Sequence, residues 1–284
     1  MKPSIALCIQ GGGARGAYAA GALRALLRLG FVADEVYGTS AGALLGVDFV
    51  TRDEERLEKM VLALATSRGF IRPSNYWKKG SIFDFHYLLE EMPETKLPFR
   101  QKDFLSSPTH FYAVSTSVSQ GKVAYFSKND TDFLAGLASS ASLPPYSKPV
   151  KIGEDGYLDG GVVEAIPFHR ALEENIPHIV VVSTREKGYR KSPLDALSRR
   201  LGKRSYSDHP EFLKAYLETS NTYNRHVEEM DSLAESGRLF VLYPSIPPKV
   251  SVTCQNTKKL LALCHAGEED TEKQENALRA YLSK

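Results

Sequence analysis

Three short stretches of this chain carry residue types that do chemistry, and each is dense in glycine. Gln10–Tyr18 reads QGGGARGAY, Gly38–Ala43 reads GTSAGA, and Tyr157–Gly161 reads YLDGG. Gly38, Ser40 and Gly42 fit G-x-S-x-G, the pattern of a serine held on a sharp strand-to-helix turn with its hydroxyl exposed. The flanking glycines leave room where neighbouring backbone would meet a side chain. A helix starting at Ala41 aims its N-terminus at the serine oxygen, which supports a developing oxyanion. That chemistry is acyl transfer. Gly11, Gly13 and Gly16 fit G-x-G-x-x-G, which also describes a dinucleotide-binding turn. In either reading the loop is an anion site, because glycines allow close backbone approach and the following helix welcomes negative charge.

The second motif decides between the two anions. A dinucleotide fold needs an acid at the end of its second strand to hold the ribose. Asp34 and Glu35 precede that strand, and Ser40 stands at its end. Adjacent strand-end loops share one crevice in such sheets, so the amides of Gly11, Gly12 and Gly13 are expected to face Ser40 as an oxyanion hole. Nucleotide binding remains the less favoured alternative. The serine needs a base. Seven histidines are present, and none stands in a glycine-marked strand-end loop. His169 follows a proline on a helix, His178 opens a strand and His226 lies mid-helix, so each reads as a surface or satisfied residue. Asp159 is the better candidate. It closes a strand-like piece, and Gly160 and Gly161 behind it leave its carboxylate free to approach another loop. An Asp capping a turn is the bland alternative.

The elements that must position these groups alternate between strand and helix. Ser4–Gln10 reads as a buried strand, Tyr18–Leu29 as a helix capped by Gly30, Glu35–Thr39 as a strand, and Ala41–Val50 and Arg52–Thr66 as helices. Gly69–Pro98 is an aromatic and proline-rich excursion. Strands are expected at Thr109–Ser117 and Lys122–Ser127, a short helix at Asp132–Ser140, and a hairpin from Val150–Ile152 to Gly156–Leu158. Ile166–Asn175 and Pro210–Glu235 read as helices, His178–Thr184 and Arg238–Tyr243 as strands, and Val250–Lys284 as a polar tail of helical character. This order predicts an α/β fold, three layers with a mainly parallel central sheet.

Length and charge exclude several classes. A chain of 284 residues with 42% hydrophobic and 25% charged residues is long enough for a sizeable core and ordinary for a globular protein. A net charge of +2 gives no argument for nucleic acid. Cys8, Cys254 and Cys264 form no C-x-x-C pair, so neither a disulfide framework nor a zinc site is suggested. The N-terminal apolar run is too short for a signal peptide or a membrane span. A cytoplasmic location is therefore expected, with peripheral contact at a membrane surface. No stretch reads as a strongly basic amphipathic helix, so stable membrane residence is not expected.

The ordered trio QGGGARGAY, GTSAGA and DGG, with SSASLPPY at Ser139–Tyr146, resembles the patatin-like phospholipases, bacterial members above all. The resemblance covers Ser4 to about Thr184. It implies a Ser–Asp dyad without histidine, with Ser40 as nucleophile, Asp159 as base, the Gly11–Gly13 loop as oxyanion hole and Arg15 beside it. It implies hydrolysis of fatty-acyl esters of lipids through an acyl-serine, and no metal or other cofactor. It divides the chain into a catalytic core over residues 1–184, containing the excursion at about 69–105, and a helical extension over 185–284 that packs on the core. The same residues would also be present in a silent lipid- or partner-binding module. An acyl ester needs an apolar groove. Phe70, Trp77, Phe83 and Phe85 of the excursion either wall that groove or pack a satellite core. Lys78 and Lys79 beside Trp77 suit an interfacial contact. The lysines from Lys249 to Lys259 either touch anionic headgroups or form a solvated face.

Overall fold

The computed structural model describes residues 4–66 and 70–284; Gly69, which opens the aromatic excursion, lies outside them. Among the described residues a single eight-stranded sheet forms the centre. Its parallel part runs β3 (His110–Ser117), β2 (Glu35–Thr39), β1 (Ile5–Ile9), β7 (His178–Val182), β8 (Leu239–Leu242). Three antiparallel strands complete it: β4 (Val123–Ser127) on β3, and the hairpin of β5 (Val150–Ile152) and β6 (Asp155–Asp159), whose β6 also pairs with β3.

The two-residue repeat of the strands sorts the core onto two faces. Leu7 and Ile9 of β1 and Val180 and Val182 of β7 point one way. There they meet α1 (Gly16–Arg28), α2 (Ala41–Val50) and α3 (Glu54–Thr66). Ala6, Cys8, Ile179 and Val181 point the other way, onto the Tyr223, Val227 and Met230 stripe of the 26-residue helix described below. Each of these side chains is at most 5% exposed, so the central strands are covered on both sides, as parallel sheets require. The excursion folds into α4 (Pro73–Lys79), α5 (Met92–Thr95) and α6 (Gln101–Ser106), and α7 (Phe133–Ser140) follows β4. The rest of the chain supplies α8 (His169–Glu173), α9 (Ala196–Ser205), α10 (Pro210–Glu235), α11 (Thr257–Lys273) and α12 (Glu275–Leu282).

Three sequence expectations change. The helix expected over Ile166–Asn175 covers only His169–Glu173, because Pro167 keeps Ile166 out of helical geometry and the Phe168 N–H turns back to the Ile166 carbonyl at 3.0 Å. No element is expected between Thr184 and Pro210, yet α9 lies there and is strongly basic. The stretch Val250–Lys284 is not a polar tail. Helix α11 buries Leu260, Cys264, Gly267, Asp270 and Thr271 against α1.

The α1–α11 contact is a backbone contact. A Cβ placed on Gly21 would sit 1.8 Å from the Cys264 carbonyl oxygen, and one on Gly267 2.1 Å from that of Tyr18. Arg24 of α1 then joins Glu58 of α3 at 2.5 Å and Glu268 of α11, tying three helices with one guanidinium. Because neither backbone can yield as a side chain would, Gly21→Ala should destabilise the fold by roughly 2 kcal/mol or more. Urea unfolding of that variant, beside Ala22→Gly as a propensity control, measures it.

Candidate active site

Strand β3 brings two distant residues together. Strand β4 covers one edge of β3 from Tyr112 to Thr116. Strands β2 and β6 must therefore share the other edge, end to end. Strand β2 stops with Thr39 opposite Val114, and β6 stops with Asp159 opposite Ser115, the next residue. Ser40, one step past Thr39, thus meets Asp159 across a gap of 119 residues in sequence. The Ser40 hydroxyl donates to Asp159 Oδ2 at 2.7 Å.

The turn that presents Ser40 is strained. Its φ of 56° and ψ of −125° lie outside the regions that side-chain-bearing residues prefer. The Ser40 N–H is held by Ser140 Oγ at 2.9 Å, and that hydroxyl donates to the Val114 carbonyl at 2.6 Å. Gly38 and Gly42 are required by contact: a Cβ would lie 2.6 Å from the Gly42 carbonyl oxygen and 2.3 Å from that of Ile9, respectively. Gly160 passes equally close to the Val114 carbonyl, at 2.3 Å.

The glycine loop abuts the serine, with a Cβ on Gly11 falling 3.1 Å from the Ser40 Cβ. Not all of its amides are free. Gly11 N–H donates to the Ala165 carbonyl at 3.1 Å, and Ala14 N–H to the Val252 carbonyl at 2.8 Å. The expected trio of donors narrows to Gly12 and Gly13, whose N–H groups open a 3-10 turn and have no backbone partner among the described residues. Gly11 instead fixes the loop, and Thr184 Oγ1 clamps its carbonyl at 2.7 Å. Gly16 starts α1 against Ala41, where a Cβ would come within 3.0 Å of the Ala41 side chain.

Asp159 is 3% exposed, and burial raises its carboxyl from 3.8 to about 6. Three groups oppose that rise: the Ser40 hydroxyl, the Gly161 N–H donating to Oδ1 at 2.7 Å, and the positive charge of Lys191. Lys191 is in turn pushed down to about 8 by burial, against the pull of Asp159 and with the added push of Arg15 and Arg185. Arg15, which the resemblance sets beside the loop, is brought down to about 10 by burial and by Arg185. Lys191 and Arg185 are residues the motifs missed. Neither stands in a glycine pattern, and they reach the site from a loop after β7.

All of these groups line a cavity of about 380 Å³. One side is apolar, formed by Leu44, Leu45, Phe70, Ile71, Phe83 and Phe85 of the core cluster that also holds α1 and α2. The other has Arg185 over the Tyr189 ring and Lys191 over that of Tyr223, both rings from the cluster on the α10 face, with Arg15 beside Arg185. Of the excursion's aromatics, Phe70, Phe83 and Phe85 do both, packing on the main core and lining this cavity, while Trp77 does not reach it. Among the described residues no histidine lines it. His169 lies elsewhere, between Glu164 at 2.6 Å and Glu229 at 3.1 Å, and beside His226. Asp34, the candidate ribose acid, sits at the opposite end of the strands. It accepts from the Ser4 and Ile5 amides at 2.8 and 2.9 Å. Among the described residues no helix is long and apolar enough to cross a membrane.

The model of the patatin-like phospholipases matches residues 7–172, more than half of the chain. The chain belongs to the patatin-like phospholipase family. Ser40, Asp159 and the glycine loop of this patatin-like chain all fall inside the matched stretch. A second model, a domain of unknown function designated DUF6363, matches residues 209–283. An uncharacterized Escherichia coli (strain K12) protein, YjjU, is 29% identical over 185 residues, covering 63% of this chain and 52% of its own length. Patatin-like phospholipase domain-containing protein 7 of Mus musculus is 27% identical over 212 residues, 69% of this chain and 15% of that protein. The chain thus spans about half the length of one curated relative and much less of the other. The solved structure of VipD from Legionella pneumophila aligns over 98% of this chain and 67% of its own, with TM-score 0.46 and 14% identity.

The burial of Asp159 has a stability consequence. Its folded carboxyl titrates near 6, above the ordinary 3.8, so the folded chain holds this proton more tightly than the unfolded one. The charged form therefore costs stability, and the cost grows as pH rises from about 4 through 6. Asp159→Asn should be more stable than the parent at pH 8, with the advantage fading towards pH 4. Chemical denaturation at both pH values checks the sign.

Proposed function

We propose that this chain is a serine hydrolase that cleaves fatty-acyl esters of lipids with a Ser40–Asp159 dyad. The observation that carries the reading is the 2.7 Å hydrogen bond from Ser40 Oγ to a buried carboxylate, at the seam between an apolar and a cationic wall. Family membership supports the same class of chemistry. Asp159 Oδ2 takes the proton as Ser40 Oγ attacks the ester carbonyl carbon. The amides of Gly12 and Gly13 stabilise the tetrahedral oxyanion, and one such donor typically contributes on the order of 3 kcal/mol. The protonated Asp159 returns its proton to the departing alcohol oxygen, leaving acyl-Ser40. Water then attacks the acyl carbon, gives a proton to Asp159, and frees the acid as Ser40 is reprotonated. The raised carboxyl of Asp159 suits both halves, since a base titrating near neutral pH accepts and returns protons readily.

Labelling with a fluorescent fluorophosphonate tests the dyad. The parent should label at Ser40, and Ser40→Ala and Asp159→Asn should each lose labelling by at least roughly a thousandfold while remaining folded. Retained labelling in Asp159→Asn overturns the dyad, and no labelling of the folded parent favours a binding module.

The two walls also suggest which end of the ester lies where. The acyl chain suits Leu44, Phe70 and Phe83, and the alcohol side then faces Arg15, Arg185 and Lys191. We infer that the preferred leaving alcohol bears an anionic group. Monoacylglycerol phosphate should exceed the matching uncharged monoacylglycerol in kcat/KM, and Arg185→Gln should lower that ratio by roughly tenfold. Equal turnover of both lipids by the parent rules this preference out.

A further inference from the structure

Helix α9 is a surface element whose composition the fold does not explain. Only Ser198 and Gly202 seat it: Tyr216 donates from its hydroxyl to the Ser198 carbonyl at 3.3 Å, and the Tyr216 ring fills the space where a Gly202 Cβ would be. Every other α9 position is exposed. Leu197 and Leu201, 66% and 40% exposed, stand one turn apart on the outer stripe. Arg199, Arg200, Lys203 and Arg204 stand around them, and among the described residues none forms an ion pair. No acid lies between Ala196 and Ser205. Two leucines and four unpaired cations on one short exposed helix have no partner among the described residues.

The surface continues past α9. Leu194 and Ser198 line the cavity, and so do Tyr146, 49% exposed, and Tyr216. The cavity therefore opens at this rim. Tyr146 leads to Lys148, whose ammonium lies 5.9 Å from the Tyr76 ring centre, and Lys148 N–H binds the Gly80 carbonyl at the end of α4 at 2.6 Å. Tyr76 thus belongs to the same surface. Next to it stands Trp77, 80% exposed, with its ring edge-on to Tyr76. The rim thus combines large exposed apolar groups, an indole and a band of cations around one opening.

We propose that α9 and the Trp77 end of α4 form a docking face for an anionic lipid bilayer, with Leu197, Leu201 and Trp77 entering the headgroup zone. Charge complementarity names this occupant. Unpaired lysines and arginines beside exposed leucines and a tryptophan fit a surface of anionic headgroups over acyl chains. An acidic protein would match the charges and leave the leucines and indole without apolar contact. The face stands on these residues alone and does not depend on turnover. It extends the hydrolase reading by turning the cavity mouth towards the lipid.

Trp77 is the only tryptophan in the chain, so its emission reports this face without labelling. The full chain carrying Ser40→Ala is titrated with vesicles of phosphatidylcholine alone and of phosphatidylcholine with phosphatidylglycerol. The mixed vesicles should shift Trp77 emission to the blue, pure phosphatidylcholine should bind at least tenfold more weakly, and added salt should weaken binding. Each cation near such a surface contributes about fivefold to partitioning. Replacing Arg199, Arg200, Lys203 and Arg204 together with Gln should therefore lower it by roughly a hundredfold or more. Leu197→Asn with Leu201→Asn should weaken binding and leave the salt dependence intact. No shift with mixed vesicles, equal binding to both vesicle types, or unaltered binding by the Gln variant overturns the docking face. A shift that follows protein concentration without vesicles assigns the face to a second copy of the chain and also overturns it. Because Ser40→Ala is inactive by design, a failed hydrolase reading shows itself separately, as absent fluorophosphonate labelling of the parent.

Discussion

The site depends on a shared edge. Two strands running in opposite directions, β2 and β6, end against neighbouring residues of β3, Val114 and Ser115. Their last side chains meet because there is one strand edge and two claimants. The geometry leaves almost no volume at the junction. Gly38, Gly42 and Gly160 each pass a carbonyl oxygen at a distance no Cβ tolerates. The strained φ of Ser40 belongs to the same constraint, since a relaxed turn would carry the hydroxyl away from the carboxylate. The convergence is held from behind by hydroxyls. Ser140 bridges Ser40 to Val114, Thr116 Oγ1 donates to the Asp159 carbonyl at 2.9 Å, and Thr39 Oγ1 donates to that of Glu164 at 2.8 Å. Such short, stiff, buried side chains fix positions at little entropic cost.

A carboxylate buried in this way must be held against its own desolvation. One N–H, one hydroxyl and one distant cation oppose a burial effect that still wins, and Asp159 titrates well above an ordinary carboxylate. A direct ion pair does not by itself undo such a rise: Asp48, buried beside Arg56, is also pushed up, to about 7. Lys191 stays far enough from Asp159 to act on it by charge, without a salt bridge among the described residues. The cationic wall therefore has two effects. Through Lys191 it opposes the rise of the Asp159 carboxyl, and it brings Arg15, Arg185 and Lys191 to the cavity without an ion pair among the described residues.

What the sequence made legible follows from these demands. Turns at which backbones nearly touch admit only glycine, so glycine patterns in the bare sequence mark Ser40, Asp159 and the loop at Gly11–Gly13. The alternation of apolar strands and amphipathic helices marks the layers in the same way. Arg185 and Lys191 are illegible because a basic residue in a polar loop looks the same whether it faces water or a cavity. The Gly11 amide could not be assigned either, since its acceptor is a carbonyl far along the chain, at Ala165. Helix α9 lacks an apolar stripe long enough to register, having no core to cover. Helix α11 hides for the opposite reason. Its buried face includes Gly267, Asp270 and Thr271, which read as polar although the first makes a backbone contact and the others are shielded by α1.

That buried face changes how the C-terminal third relates to the site. Helix α1 begins at the glycine loop, so anything that positions α1 positions the loop. Helix α11 grips α1 at Gly21, and the segment before it crosses the loop directly. There the Val252 carbonyl takes the Ala14 N–H, the Val250 carbonyl lies 3.4 Å from Arg15 Nη1, and a Cβ on Gly13 would meet Val252 at 2.5 Å. Val252, Thr253, Cys254 and Leu260 then become part of the cavity wall. Strand β8, from the same region, extends the sheet beside β7 and brings α10 over the opposite face, where Tyr223 accepts a hydrogen bond from Gln10 at 3.0 Å. The glycine loop is thus held on one side by α11 and its approach segment, and on the other by α10 through Gln10. The last hundred residues act as the second half of the mould that sets the loop's shape, which a helical appendage packed on a finished core would not do.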